Sequence, residues 1–258
     1  MQPNIDYITP IEKHDSYWIK RDDMFCIAGM YGGKVRTCWN LAQGATGLVT
    51  AGSRQSPQAN IVAHIANYLN IPSRIHTPTG ELSAELKAAQ KVGAQIIQHK
   101  AGYNNVIISR AKKDALETGY REIPFGMECQ EAIIQTSKQV HNLPKEIKRI
   151  IIPVGSGMSL AGLLTGLSSI SESNIPVIGI QVGADPIKRL NKYAPFGWQL
   201  QCKIIKSNLD YHKEANIYNI NNLILDPIYE AKCIPFLEPN DLFWVVGIRQ
   251  TIVAKQMF

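Results

Sequence analysis

Between Arg149 and Gly162 the chain reads Arg-Ile-Ile-Ile-Pro-Val-Gly-Ser-Gly-Met-Ser-Leu-Ala-Gly. Its apolar run is continuous rather than alternating, which is the pattern of a strand covered on both faces, as strands of parallel sheets are. A Gly/Ser turn follows, and then a helix start rich in small residues. A strand, a tight turn and a helix in that order belong to an α/β chain with parallel sheets flanked by helices. The turn also suits a phosphate. Gly155 and Gly157 allow close approach, Ser156 and Ser159 carry hydroxyls, and the helix that follows presents N–H groups and a positive dipole end. It is not the dinucleotide fingerprint, which would need glycine at position 160, here leucine, and it lacks the Gly-Lys-Ser/Thr of a P-loop.

Further strands are predicted at Gly47–Thr50, Ser73–Thr77, Gln95–His99 and Val177–Gln181, and a strand-like stretch at Tyr17–Phe25. Helical patterns lie over Ser83–Val92 and Asn104–Leu116, and a third carries Ile61, Ile65 and Leu69. Ser168–Asn174 reads as a polar loop. At 258 residues the chain is long enough for one two-lobed unit. The expected smaller lobe is 37–125, with Gly126-Met127-Glu128 leading back to a larger lobe made of 1–36 and 126–258. Ligands of such folds lie at the carboxyl ends of the strands, here in the cleft expected between the lobes.

Three other segments carry candidate chemistry. Lys34 follows Tyr31-Gly32-Gly33 at the mouth of a predicted helix. A lysine amine attacks an aldehyde only when deprotonated, and burial or a helix N-terminus favours that form; taken alone, it also reads as a solvated surface lysine. Ala51-Gly52-Ser53-Arg54-Gln55-Ser56-Pro57-Gln58-Ala59-Asn60 is a polar turn between a strand and a helix. It suits an anion, while Ser56-Pro57 also reads as a plain helix cap with proline at the first helical position. Leu225-Asp226-Pro227-Ile228-Tyr229-Glu230 places a phenol and a carboxylate together after an Asp-Pro turn, which in isolation is an ordinary turn.

In this order the segments resemble the fold-type II pyridoxal-phosphate enzymes, specifically the 1-aminocyclopropane-1-carboxylate deaminase and D-cysteine desulfhydrase family. Ile8-Thr9-Pro10-Ile11-Glu12-Lys13, Trp18-Ile19-Lys20-Arg21-Asp22-Asp23 and Gly32-Gly33-Lys34-Val35-Arg36 are similar to its N-terminal signature, and Gln55-Ser56-Pro57-Gln58 falls on its loop motif. Tyr229-Glu230 resembles the deaminase branch; the desulfhydrase branch usually has threonine after the tyrosine. The resemblance implies a tryptophan-synthase-beta-like two-lobed fold, with Lys34 holding pyridoxal 5'-phosphate as an aldimine and Gly155, Ser156, Gly157, Met158 and Ser159 binding its phosphate. Glu230 would face the pyridine nitrogen and strengthen the ring as sink for a carbanion. Ser56 would contact the substrate carboxylate or relay a proton. Tyr229 would act as acid, base or nucleophile.

The chain also departs from the family. Gly33 stands where the family has asparagine before the lysine, and Pro57 replaces the asparagine that hydrogen-bonds the ring's phenolic oxygen. Gln58 or Asn60 is the available substitute. The segment between phosphate loop and Tyr229 is shortened, and Leu242–Ile248 replaces a strand ending in Thr-Gly-Gly.

No apolar run reaches the roughly 20 residues of a membrane helix, and Met1-Gln2-Pro3-Asn4 has no signal-peptide character. Five scattered cysteines without a CxxC pair point to a reducing cytoplasm and to no metal site. His64 and His76 show no ligand spacing and read as surface or packing residues. The expected function is a lyase or deaminase acting on a small amino acid, as a homodimer. Net charge +6 keeps open a second reading, decarboxylation or elimination on an amino-acid moiety carried by a larger anion such as modified DNA. A third is a pyridoxal-phosphate protein without catalysis, suggested by Gly33 and Pro57 and opposed by Lys34 and Glu230.

Overall fold

Arg149–Val154 is a strand in which every residue after Arg149 is buried. In the computed structural model it lies inside a six-stranded sheet, in the order Ile11–His14, Tyr17–Arg21, Asp241–Val245, Arg149–Val154, Val177–Gln181, Cys202–Lys206. Only the first pair is antiparallel. Pro153 has no N–H to give a neighbour. On one side the ladder to Asp241–Val245 pairs Arg149, Ile150 and Ile151 and stops short of it. Arg149 locks that register with two charge-assisted bonds, Nε to Asp241 Oδ1 at 2.7 Å and Nη2 to Oδ2 at 3.0 Å. Ile19, Ile151, Ile180, Phe243 and Val245 form the core on one face of this sheet. The helices Gln130–Ser137 and Met158–Ser168 pack together through Gly162, where a Cβ would lie 2.6 Å from Thr136 Cβ.

The structure describes residues 3–100, 103–170, 174–220 and 222–254. Two compact units divide the chain: Met1–Phe25 with Cys129–Ile248, and Cys26–Glu128 with Arg249–Phe258. The second unit has a parallel sheet in the order Gln95–His99, Ser73–Pro78, Leu48–Ala51, Arg121–Ile123. One core cluster holds Ala59, Ala63, Ile75, Leu86 and Ala89, and another holds Val49, Ala51, Ile107 and Ala111. The helix Gly33–Ala42 belongs to this unit, where Trp39 meets Tyr68 edge to face. So does the C-terminal helix Gln250–Ala254, through Thr251 Oγ1 donating to Glu85 Oε1. Against boundaries drawn at 36/37 and 125/126, this unit also takes in 26–36, 126–128 and 249–258. Among the described residues no helix is long and apolar enough to cross a membrane.

The strands predicted at Gln95–His99 and Val177–Gln181 form over those residues. The expected stretch Tyr17–Phe25 is shorter. It ends at Arg21, and Asp22–Met24 is a 3-10 turn that brings Asp23 Oδ2 within 2.9 Å of Arg21 Nη2. In the polar loop expected at Ser168–Asn174, Ser168 closes the preceding helix, and 171–173 lie outside the described residues. Of Leu242–Ile248, the part up to Val245 belongs to the strand Asp241–Val245, central in its sheet.

His76 is a buried packing residue, 4% exposed, within a chain of hydrogen bonds. Arg110 Nη1 lies 2.8 Å from His99 Nδ1, His99 Nε2 lies 2.8 Å from His76 Nδ1, and His76 Nε2 lies 2.7 Å from Asp114 Oδ2. Arg74 Nε donates to that same carboxylate oxygen at 2.7 Å. A guanidinium only donates, so His99 Nδ1 accepts, and each neutral ring then has one consistent tautomer. Burial lowers the His99 pKa, and His76 and Arg110 lower it further. Asp114 is pushed up by burial, but its bonds to Arg74 and His76 outweigh this and hold it below the usual carboxylate range.

The folded state therefore favours a neutral His99. Its contribution to stability is present above the ordinary imidazole pKa of 6.5 and is lost as pH falls from there toward the lowered folded value. Tm should drop across that window, and His99→Gln should flatten the drop. A parent whose Tm is level or rises on acidification through it contradicts the assignment.

Candidate active site

Val154 ends its strand, and Gly155-Ser156-Gly157 turns into the helix Met158–Ser168. Gly157 has φ +90°, and a Cβ there would sit 3.0 Å from Pro186 Cβ. A Cβ on Gly183 would come within 3.4 Å of the Gly155 backbone. Within the helix the first bond is Ala161 N to Gly157 O at 2.9 Å, so the earlier amides have no helical acceptor. The first turn carries no acidic side chain. Such a loop receives an anion on N–H groups and hydroxyls.

Asp226 builds the second part of the site in the same unit. Its carboxylate accepts from Ile228 N at 2.8 Å and Tyr229 N at 3.3 Å, and its carbonyl accepts from Ala231 N at 3.0 Å. This turn lays the Tyr229 ring against the phosphate-type loop: a Cβ on Gly155 would lie 3.0 Å from Tyr229 Cε1. Glu230, 2% exposed, opens the 3-10 helix Glu230–Phe236. Its charge is felt nearby, since the Cys233 thiol is pushed well up, first by burial and then by Glu230. Residues some seventy positions apart are thus adjacent. A residue that sequence reasoning missed joins them. Tyr211 places its hydroxyl 3.0 Å from that of Tyr229, the rings edge to face with centroids 5.8 Å apart. It sits in a segment with no periodicity, so no pattern marks it.

The second unit carries the remaining candidates. The ribbon Cys26–Ile27 with Met30–Tyr31 leads to Gly32, whose φ of +103° starts the helix Gly33–Ala42. Lys34 is the second residue of that helix and half-buried, while Val35, Cys38 and Trp39 face inward. In the Ala51–Asn60 turn, Ser56 Oγ accepts from Gln58 N at 3.3 Å, and Pro57 itself stands at the cap of the helix Gln58–Tyr68. Gln58 directs its Nε2 to Thr50 Oγ1 at 2.9 Å and Pro124 O at 2.8 Å. Both of its N–H groups are taken, and its Oε1 is buried without a hydrogen-bond partner among the described residues. What Gln58 has to offer a ligand is thus an acceptor. The donor that Pro57 lacks does not come back through it. Asn60 donates Nδ2 to Glu85 Oε2 at 3.2 Å.

The pyridoxal-phosphate dependent enzyme family matches residues 8–207. The chain belongs to that family. It is 26% identical over 255 residues to a putative 1-aminocyclopropane-1-carboxylate deaminase of Thermotoga maritima, covering 83% of this chain and 80% of that protein. It is 29% identical over 178 residues to a bifunctional D-cysteine desulfhydrase/1-aminocyclopropane-1-carboxylate deaminase of Arabidopsis thaliana, covering 58% and 44%. A crystal structure of an ACC deaminase homologue shares its fold at TM-score 0.78 and 21% identity, covering 97% of this chain and 93% of that one. The family match ends at residue 207, so Tyr229 and Glu230 stand on their geometry.

The residues present fit pyridoxal phosphate. The glycines let the turn pack closely against Tyr229 and Pro186, the first turn of the helix it opens carries no acid, and a buried carboxylate lies in the same unit. Gly157→Val would force a branched side chain into positive φ and against Pro186. It should weaken cofactor retention by at least tenfold, roughly the loss of one charge-assisted hydrogen bond, as read by cofactor absorbance after dialysis. Retention equal to the parent's would remove the loop from the site.

Proposed function

We propose that the protein is a pyridoxal-phosphate-dependent lyase or deaminase acting on a small amino acid. The observation that carries this reading is the Tyr229 ring packed on Gly155, with the buried Glu230 next in sequence. When bound, the cofactor supplies an electron sink for breaking a bond at the amino acid's α-carbon. The roles of the chain's own residues follow from chemistry. Gly155 to Ser159 hold the phosphate through amides and hydroxyls. Glu230 keeps a proton on the ring nitrogen through a charge-assisted hydrogen bond. Ser56 takes the substrate carboxylate at the helix start. Lys34 would be the point of covalent attachment, and its amine would move a proton at the α-carbon. Tyr229 gives or takes a proton at its hydroxyl oxygen. One cofactor served by both residue sets is part of the proposal. So are cytoplasmic placement, supported by five free cysteines, and the homodimer that the family resemblance implies.

Borohydride reduction of the holoprotein should fix the cofactor on the peptide carrying Lys34. Label on another lysine, or no uptake of pyridoxal phosphate, overturns the assignment. Ammonia release should be sought with 1-aminocyclopropane-1-carboxylate, D-cysteine and L-threonine, the compounds named for the relatives.

A second reading rests on charge. The unit Cys26–Glu128 with Arg249–Phe258 has 13 Lys and Arg against 6 Asp and Glu, while the other unit has 14 against 15. The excess of positive charge thus belongs to one unit. This favours an amino-acid moiety carried on a polyanion such as modified DNA. Binding of that substrate would weaken steeply with salt, and a free amino acid would show no such slope.

Glu230→Gln and Tyr229→Phe should both retain cofactor and lose turnover by roughly 10²–10⁴-fold. Cofactor and substrate should still bind to Tyr229→Phe. Near-parental rates in both variants would make the turn structural only.

A further inference from the structure

Lys232 has no role in the reading above, yet it is buried two residues after Glu230, 2% exposed. An ammonium removed from water is costly unless acceptors take its protons. Its Nζ donates to Asp210 O at 2.7 Å and Tyr211 O at 3.3 Å. These are carbonyls of adjacent residues in a segment, 207–218, that has no helix or strand. The same segment is tied once more by its backbone, Ala215 N to Pro227 O at 2.9 Å. Tyr211, part of the first tie, has its hydroxyl on that of Tyr229. Two successive carbonyls need donors that diverge from a single atom, which an ammonium provides at the end of a long stem and a thioether does not. Without the clamp, segments of this kind open at low cost.

We propose that Lys232 is a positioning residue for the reaction. It holds the carbonyls of Asp210 and Tyr211 so that the Tyr211 hydroxyl stays against Tyr229 and sets the direction in which that phenol passes its proton. The proposal rests on the assignment of proton transfer to Tyr229. A lysine that served stability alone would act independently of Tyr211, whereas a clamp acts through it.

The test compares holoenzyme of the parent with Lys232→Met, Tyr211→Phe and their double variant. Limited trypsin digestion reads the segment directly, because Lys213 lies in it and is exposed. Cleavage after Lys213 should rise by at least about tenfold in Lys232→Met and stay within about twofold of the parent in Tyr211→Phe. On whichever of 1-aminocyclopropane-1-carboxylate, D-cysteine and L-threonine the parent consumes, kcat should fall to a similar level in both single variants, with KM little changed. The double variant should fall no further than about twofold below either single one, the mark of two residues acting as a unit. If Lys232→Met does not fold, Lys232→Gln, which keeps N–H donors on a shorter stem, should show smaller changes in the same direction. Unchanged cleavage at Lys213, or a double variant that loses the product of the two single losses, overturns the proposal. Parental activity in Tyr229→Phe alongside accelerated cleavage at Lys213 would instead overturn the role of Tyr229, so the two failures are distinct.

Discussion

The contact between the Tyr229 ring and the bare backbone at Gly155 is what the larger unit's site depends on. It exists because Gly155 has no side chain, and a Cβ there would already be at 3.0 Å. The loop that leaves this space is delivered by a strand buried on both faces, whose register Arg149 and Asp241 lock. The tyrosine is delivered by Asp226, whose carboxylate holds two successive amides. Widening either end would part the Tyr229 ring from the Gly155 turn. Two polar devices, an ion pair and an Asx-type turn, thus position an otherwise apolar assembly.

The smaller unit uses polar order differently. Across the strands Ser73–Pro78 and Gln95–His99 and the neighbouring helix, Arg74, Asp114, His76, His99 and Arg110 hydrogen-bond in series, with Asp114 as the shared acceptor. Buried polar chains of this kind are costly if any member is unmatched and specify one packing when all are satisfied. Gln58 meets that condition only in part, since its Oε1 has no hydrogen-bond partner among the described residues. Its amide ties the strand Leu48–Ala51 to Pro124, the residue after the strand Arg121–Ile123, and in doing so is withdrawn from donating to a ligand.

Much of the fold was legible because it is written in local patterns. The strands Gln95–His99 and Val177–Gln181 are continuous or alternating apolar runs between turn residues, and periodicity reads such runs well. The end of Tyr17–Arg21 was not legible, because the Arg21–Asp23 bond that folds the chain back is no property of apolar pattern. Gly33–Ala42 was read as a helix start, but its partner, the helix Gln58–Tyr68, is a tertiary choice.

For the site the same division holds. The sequence alone determined the Gly/Ser turn after a buried strand, the lysine after a glycine pair and the tyrosine–glutamate pair after Asp-Pro, because each is a short run whose chemistry is carried by its own neighbours. Tertiary structure alone decided that Tyr229 rests on Gly155, that Tyr211 meets Tyr229, and that Lys232 is enclosed by the carbonyls of 210 and 211. Those contacts join residues from 18 to more than 70 positions apart, or enclose a charge that local pattern would place in water. Loop closure over such separations is set by the packing of the whole unit, which no local run of residues encodes.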